Sequence, residues 1–213
     1  KVMKIAKENG LKIRYHVLVW HAQTPEWFFK EGYSTDENAK YVSQETMYAR
    51  MEMYIRSVIH HVYTLDGGAY RDVVYTWDVV NEYFANNPDK NWSAVFGNRV
   101  DADHPGFGNT RPEFVKRAFE IAYDELEKLE LEQFIPLMYN DFNTYQRTNE
   151  IIELINFINS GSKKVCAGVG MQSHVSSRGN FSSVDNYIST LQSFLEEGFQ
   201  VQITELDVAS WDT

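Results

Sequence analysis

The sequence predicts an α/β fold of parallel strands closed as a (β/α)8 barrel. Three observations lead there. Helix-period and strand-like stretches alternate along the whole chain, which implies parallel strands joined by right-handed crossovers. The strands are apolar at nearly every position, as strands covered on both faces must be. Each strand also ends in polar, chemically useful residues: His21, Asn81–Glu82, Asn140–Asp141, Gln172–His174 and Glu205–Asp207. Barrel enzymes place their chemistry at such strand ends. An open doubly wound sheet would fit the alternation too, but it usually carries a glycine-rich phosphate turn after its first strand. No such turn is present.

Val2–Asn9 has helical spacing, with Val2, Ile5 and Ala6 on one face, and Gly10 stops it. Leu11–Trp20 is the first strand, and Val17, Leu18, Val19 and Trp20 make its second half apolar. It ends in His21 and a loop through Thr24, Pro25, Glu26 and Trp27. Ser34 with Glu37 has the form of a capping box. The helix it opens repeats Met47, Met51, Tyr54, Ile55, Val58 and Val62 at i+3 and i+4. Asp66, Gly67 and Gly68 end it. Tyr75–Glu82 is next, aromatic and β-branched until it stops on an amide beside a carboxylic acid. The polar stretch 83–109 is long for a connection, which marks it as functional or disordered. Asp101 and Asp103 within it read as part of a solvated loop rather than as metal ligands.

Thr110 and Glu113 repeat the capping-box pattern, with Pro112 in the first turn, and this helix runs to about Leu131. Phe134–Tyr139 is a strand ending in Asn140 and Asp141. Thr148–Ser160 is a helix closed by Gly161, and Lys164–Met171 is a strand ending in Gln172, Ser173 and His174. Ser183–Glu197 is a helix with Ile188, Leu191, Phe194 and Leu195 on its apolar face; Gly198 ends it. Phe199–Leu206 is the last strand. No internal repeat, low-complexity tract or domain linker interrupts the series.

Composition bounds what the chain can do. Its 213 residues suffice for one domain, and 43% apolar residues exclude a disordered chain. No apolar run reaches the roughly 18 residues of a membrane span. A net charge of −10 repels phosphate backbones, so nucleic acid is not expected as a partner. The single Cys166 permits no internal disulfide, and no Cys/His cluster has zinc spacing. No signal peptide is visible. The chain opens mid-pattern without an initiator Met, so an upstream piece is expected to have been removed.

The strand ends, taken as a set, would gather two Glu, two His, two Asn and a Gln around one pocket. Sugar hydroxyls need such neutral donors and acceptors. An oxocarbenium-like transition state needs two carboxyl groups, one protonated and one ionised. Glu82 and Glu205 end apolar strands and fit that pair. Asp78 lies four residues before Glu82, on the same face of a regular strand.

LVWH at 18–21, TPEW at 24–27, WDVVNE at 77–82, NDFN at 140–143, GMQSH at 170–174 and ITELD at 203–207 resemble the endo-β-1,4-xylanases of glycoside hydrolase family 10. The resemblance runs in order from about Val2 to the C-terminus. It implies a (β/α)8 barrel that hydrolyses xylan and xylo-oligosaccharides with retention and needs no metal or organic cofactor. It assigns Glu82 as acid/base and Glu205 as nucleophile. By the same resemblance His21, Asn81, Gln172, His174 and Trp27 hold the sugar. Asp207 pairs with His174 to tune the nucleophile, and Asp78 and Asn140 support the site. Phe142 departs from the usual Tyr and loses its hydroxyl. The five strands correspond to the family's third to seventh, so residues 1–213 are expected to be a catalytic-domain fragment lacking the first two strands and the eighth. A secreted, extracellular enzyme with further modules is expected. Two rival readings keep the same residues: a β-1,4-glucanase on the same barrel, and an inactive carbohydrate-binding fragment.

Overall fold

The computed structural model describes residues 1–85, 90–97, 110–176 and 183–209. The elements are α1 (Val2–Glu8), β1 (Ile13–Val19), α2 (Gln44–Gly68), β2 (Val74–Asn81), α3 (Asn91–Phe96) and α4 (Glu113–Lys128). They continue with β3 (Leu137–Asp141), α5 (Thr148–Ile158), β4 (Gly168–Met171), β5 (His174–Ser176), α6 (Val184–Glu196), β6 (Gln200–Ile203) and β7 (Asp207–Ala209). Short 3-10 turns lie at Glu26–Phe29, Glu31–Tyr33 and Thr144–Gln146. Asp101 and Asp103 lie outside the described residues, as does most of the long polar stretch; α3 is a short helix within it.

One five-stranded sheet runs in the order β1-β2-β3-β4-β6, with every pair parallel. Strand order follows chain order, and a helix leads from each strand to the next, as right-handed crossovers require. The sheet curves strongly. Arg14 on β1 donates from Nη1 to Gln202 Oε1 on β6 at 2.6 Å, so a side chain on the first strand meets one on the last. This is a partial (β/α)8 barrel, with helices outside and polar side chains on the concave face.

The central strands are buried on both faces: β3 and β4 at every residue, and β2 at all but Tyr75. The edge strands differ from expectation. In β1 only Leu18 and Val19 are buried, and β6 is half-covered, because each has a strand neighbour on one side only. The last predicted strand is shorter, ending at Ile203, and just past its expected end β7 pairs in parallel with β5 in a small second sheet.

Three local expectations are corrected. The capping box at Ser34 is not used; Ser34 accepts from the Asp36 N–H in a turn, and α2 begins later, where Ser43 Oγ accepts from the Thr46 N–H at 3.2 Å. At α4 the cap is Pro112 rather than Thr110. The inward faces of α1 and α6 are narrower than their patterns imply. Val2 and Ile5 are exposed while Ala6 is buried, and Ile188 and Leu195 are exposed while Phe194 is buried. The end of α2 is as expected: the chain leaves helical geometry at Leu65 and turns left-handed through Asp66 and Gly67.

The layer between helices and sheet is buried and rich in aromatic residues. Tyr63 of α2 and Trp77 of β2 are both fully buried, and the Trp77 indole N–H donates to the Tyr63 hydroxyl at 2.8 Å. Replacing Tyr63 by Phe removes that acceptor and should cost about 1–3 kcal/mol. Denaturant unfolding of the intact protein checks it; an unchanged midpoint would contradict the role given to this bond.

Candidate active site

The parallel register carries the site. Asn81, Asn140, Gly170 and Gln202 are successive partners across β2, β3, β4 and β6. Backbone bonding continues one step past the strands. The Glu82 N–H donates to Asn140 O at 2.9 Å, Gln172 to Asp141 O at 3.0 Å and Glu205 to Gln172 O at 3.0 Å. Glu82, Gln172 and Glu205 thus stand side by side at the carboxyl rim of the sheet.

Their side chains form one connected set. Gln172 Nε2 donates to Glu82 Oε1 at 2.8 Å and to Asn81 Oδ1 at 3.1 Å. Asn140 Nδ2 donates to the same Asn81 oxygen at 2.9 Å and to Glu205 Oε1 at 2.8 Å. Asn140 is held in turn by the Thr204 hydroxyl, which donates to Asn140 Oδ1 at 2.8 Å. Gly170 is required here. A Cβ on it would lie 2.2 Å from Asn140 Oδ1 and 2.6 Å from an Arg14 nitrogen. Asn140, expected as a supporting residue, touches a catalytic candidate directly.

The two carboxylates have different neighbours. Glu82 accepts a second bond from the Trp20 indole N–H at 2.9 Å, and His21 Nε2 lies 3.8 Å from the same oxygen. Burial lowers the His21 pKa, against the charge of Glu82. Glu205 Oε2 instead faces His174 Nε2 at 3.2 Å, while His174 Nδ1 faces Asp207 Oδ2 at 2.8 Å. Partial burial opposes charge on His174, but hydrogen bonding and charge from Asp207, then from Glu205, outweigh it and raise its pKa. A carboxylate at each nitrogen favours the imidazolium form, in which both nitrogens donate.

Asp78 is held from β1. It is buried, and it accepts from Arg14 Nε at 3.0 Å, from a second Arg14 nitrogen, and from His16 Nδ1 at 3.0 Å. These partners are on β1; the β2–β3 pairing slips between Asp78 and Val80, and Glu82 turns out of the strand. The hydrogen bond that His16 donates to Asp78 raises the His16 pKa, and the charge of Glu205 adds to it. Trp27 stands on the 3-10 turn after β1, 41% exposed, with its edge or face against Phe28 and Tyr33. With Trp20 and His16 it lines a cavity of about 740 Å³ along the free edge of β1, beside the carboxylates rather than among them.

Sequence reasoning missed Trp20, Thr204, Arg14 and His16. Trp20 was counted as one more apolar residue of the strand, although an indole N–H at a strand end is itself a signal.

The glycosyl hydrolase family 10 model matches residues 1–213. The chain belongs to that family. It is 47% identical over 210 residues to endo-1,4-beta-xylanase A of Butyrivibrio fibrisolvens, covering 99% of this chain and 47% of that protein. It is 35% identical to endo-1,4-beta-xylanase Y of Acetivibrio thermocellus, covering 98% of this chain but 19% of that one. Among solved structures it matches the N-terminal endo-1,4-beta-D-xylanase 10B of Clostridium thermocellum, complexed with xylohexaose. The TM-score is 0.76 at 28% identity, over 98% of this chain and 40% of that one. A xylanase of Thermoanaerobacterium saccharolyticum described as intracellular, complexed with xylotetraose, matches with a TM-score of 0.74 at 26% identity, over 97% and 57% of the two chains. The family 10 chain described here therefore spans about half or less of the length of these relatives.

Its two site histidines should titrate in opposite directions from the ordinary 6.5. In an NMR titration of the intact protein, His174 should stay protonated to higher pH and His21 lose its proton at lower pH. Asp207→Asn should bring His174 down. A His174 that titrates at or below 6.5 would contradict the Asp207–His174–Glu205 arrangement.

Proposed function

We propose that this family 10 chain is the catalytic part of a retaining endo-β-1,4-xylanase that cuts xylan and xylo-oligosaccharides by double displacement. The observation that carries the reading is the amide chain from Glu82 through Gln172, Asn81 and Asn140 to Glu205. It holds two carboxyl groups at one rim through neutral donors, so neither loses its charge or proton to the group that positions it.

Glu82 is the acid/base. Its partners Trp20 and Gln172 are neutral donors, and a neutral His21 stands nearby. Such surroundings suit a carboxyl that carries a proton to the leaving oxygen. Glu205 is the nucleophile. His174 beside it has a raised pKa, and a cation there suits an anion that attacks the anomeric carbon. Glu82 then deprotonates the water that releases the product. No step requires a metal or an organic cofactor.

The sugar is held by Asn81, His21, Gln172 and His174, with Trp27 as a stacking face. Asn81 Oδ1 already accepts two bonds, while its Nδ2 and His21 Nδ1 are buried with no partner among the described residues. These are polar atoms suited to sugar hydroxyls. The relatives' names and the xylo-oligosaccharides bound in neighbouring structures support xylan as the substrate.

A closed barrel needs strands on the free edges of β1 and β6, and these are taken to come from the rest of the intact polypeptide. Further modules, and action outside the cell on a polymer too large to enter it, belong to the same reading.

The test uses the intact protein on xylan and cellulose. Xylan should be cut and cellulose left; the reverse would make the enzyme a glucanase, and inertness toward both would make it a binding protein. Glu205→Ala should abolish turnover, with azide restoring it on an activated aryl xyloside. Glu82→Ala should slow xylan about 10²–10⁴-fold or more. Glu205→Ala activity without azide would refute the nucleophile assignment.

A further inference from the structure

Glu82 sits in the left-handed backbone region, with φ of 55°. L-residues with a Cβ avoid that region, so the surroundings must hold it there. The turn is what takes the carboxyl off the strand direction and toward Gln172 and Trp20. Part of the hold is visible in the bonds from the Glu82 N–H to Asn140 O and from the Ala85 N–H to Glu82 O. The next residue is held by a device that the reaction as described does not use.

The Tyr83 N–H donates to the Tyr139 hydroxyl at 3.1 Å, and that hydroxyl donates to Asp141 Oδ2 at 2.5 Å. A hydroxyl has one proton, so giving it to Asp141 turns the Tyr139 lone pairs toward Tyr83. Asp141 Oδ1 is fixed in turn by the Phe142 N–H at 2.8 Å. Tyr139, Asp141 and Tyr83 are all buried, at 0%, 1% and 2% exposure. Burial lifts the Asp141 carboxyl to about 7; the Tyr139 and Phe142 bonds and the charge of Arg147 oppose that rise, and the charge of Glu82 adds to it. Arg147 also donates to Phe84 O at 3.0 Å, pinning the chain two residues past Glu82.

We propose that Tyr139 and Asp141 are positioning residues for Glu82: the Asp141–Tyr139–Tyr83 relay fixes the left-handed turn that points the acid/base carboxyl at the glycosidic oxygen. The proposal rests on the reading of Glu82 as the acid/base. A buried ionisable carboxyl would be a poor choice for packing alone, since a hydrophobic residue would fill the space without desolvating a charge. Its use is to hold a hydroxyl in one orientation.

The test compares Tyr139→Phe, Asp141→Asn and Glu82→Ala in the intact protein on two substrates. Xylan needs a proton on its leaving oxygen. A dinitrophenyl xylobioside does not, so its first burst of dinitrophenol reports attack by Glu205 alone. Tyr139→Phe should slow xylan turnover about 10–100-fold, less than loss of the acid itself, while the burst rate changes less than about twofold. Asp141→Asn should show the same split more mildly. Equal losses on both substrates, or no loss on either, would overturn the positioning role. So would failure of both variants to fold, judged by thermal melting, which would make the relay structural. If Glu82→Ala shows no split, the acid/base reading fails and the proposal with it. A split in Glu82→Ala without one in the folded relay variants sinks the proposal alone.

Discussion

The side-chain oxygen of Asn81 joins the two halves of the site. Two amides donate to it, Gln172 on one side and Asn140 on the other, and each uses its remaining proton on a different carboxyl group, Glu82 or Glu205. A carbonyl has two lone pairs, so the oxygen is filled and both amides are fixed by a shared partner. Moving Asn81 would move Glu82 and Glu205 together. The parallel register is what brings these residues level, and Gly170 leaves the space into which Asn140 fits. The arrangement is preorganised by neutral groups, which under the proposed double displacement matters because charge would rise and fall on the two carboxyls.

Around this neutral frame the surroundings are unequal. The Glu82 side has an indole N–H and a histidine that burial keeps uncharged. The Glu205 side has a histidine whose pKa the two flanking carboxylates raise. Two identical side chains are thus given different surroundings, which is what the proposed acid–nucleophile pair requires. Beneath them Arg14 and His16 surround Asp78 and tie the first strand of the sheet to the last through Gln202. That charge cluster shapes the concave face of the sheet.

Much of this was legible in the sequence for a physical reason. Apolar runs that stop abruptly on Asn81–Glu82 or Glu205 mark strand ends where chemistry is exposed, and alternation with helices makes the strands parallel. What was not legible depends on contacts between distant strands. Arg14 and Gln202 are 188 positions apart, and nothing in the period of either strand marks their bond. The left-handed turn at Glu82 has no sequence signature in a residue with a Cβ. The exposure of Ile5 and Ile188 depends on what packs over α1 and α6, which helical periodicity does not record. Ser34 and Ser43 both suit a helix start, and only the chain's path selects the second.

The central claim is that Glu205 attacks the sugar from within a frame that holds Glu82 opposite. A 2-deoxy-2-fluoro xylobioside with a good leaving group tests it most directly, because the fluorine slows release of the covalent sugar–enzyme intermediate. Peptide mass spectrometry of the inactivated intact protein should find the fluorosugar as an ester on Glu205. An ester on any other residue, or inactivation without one, would contradict the account.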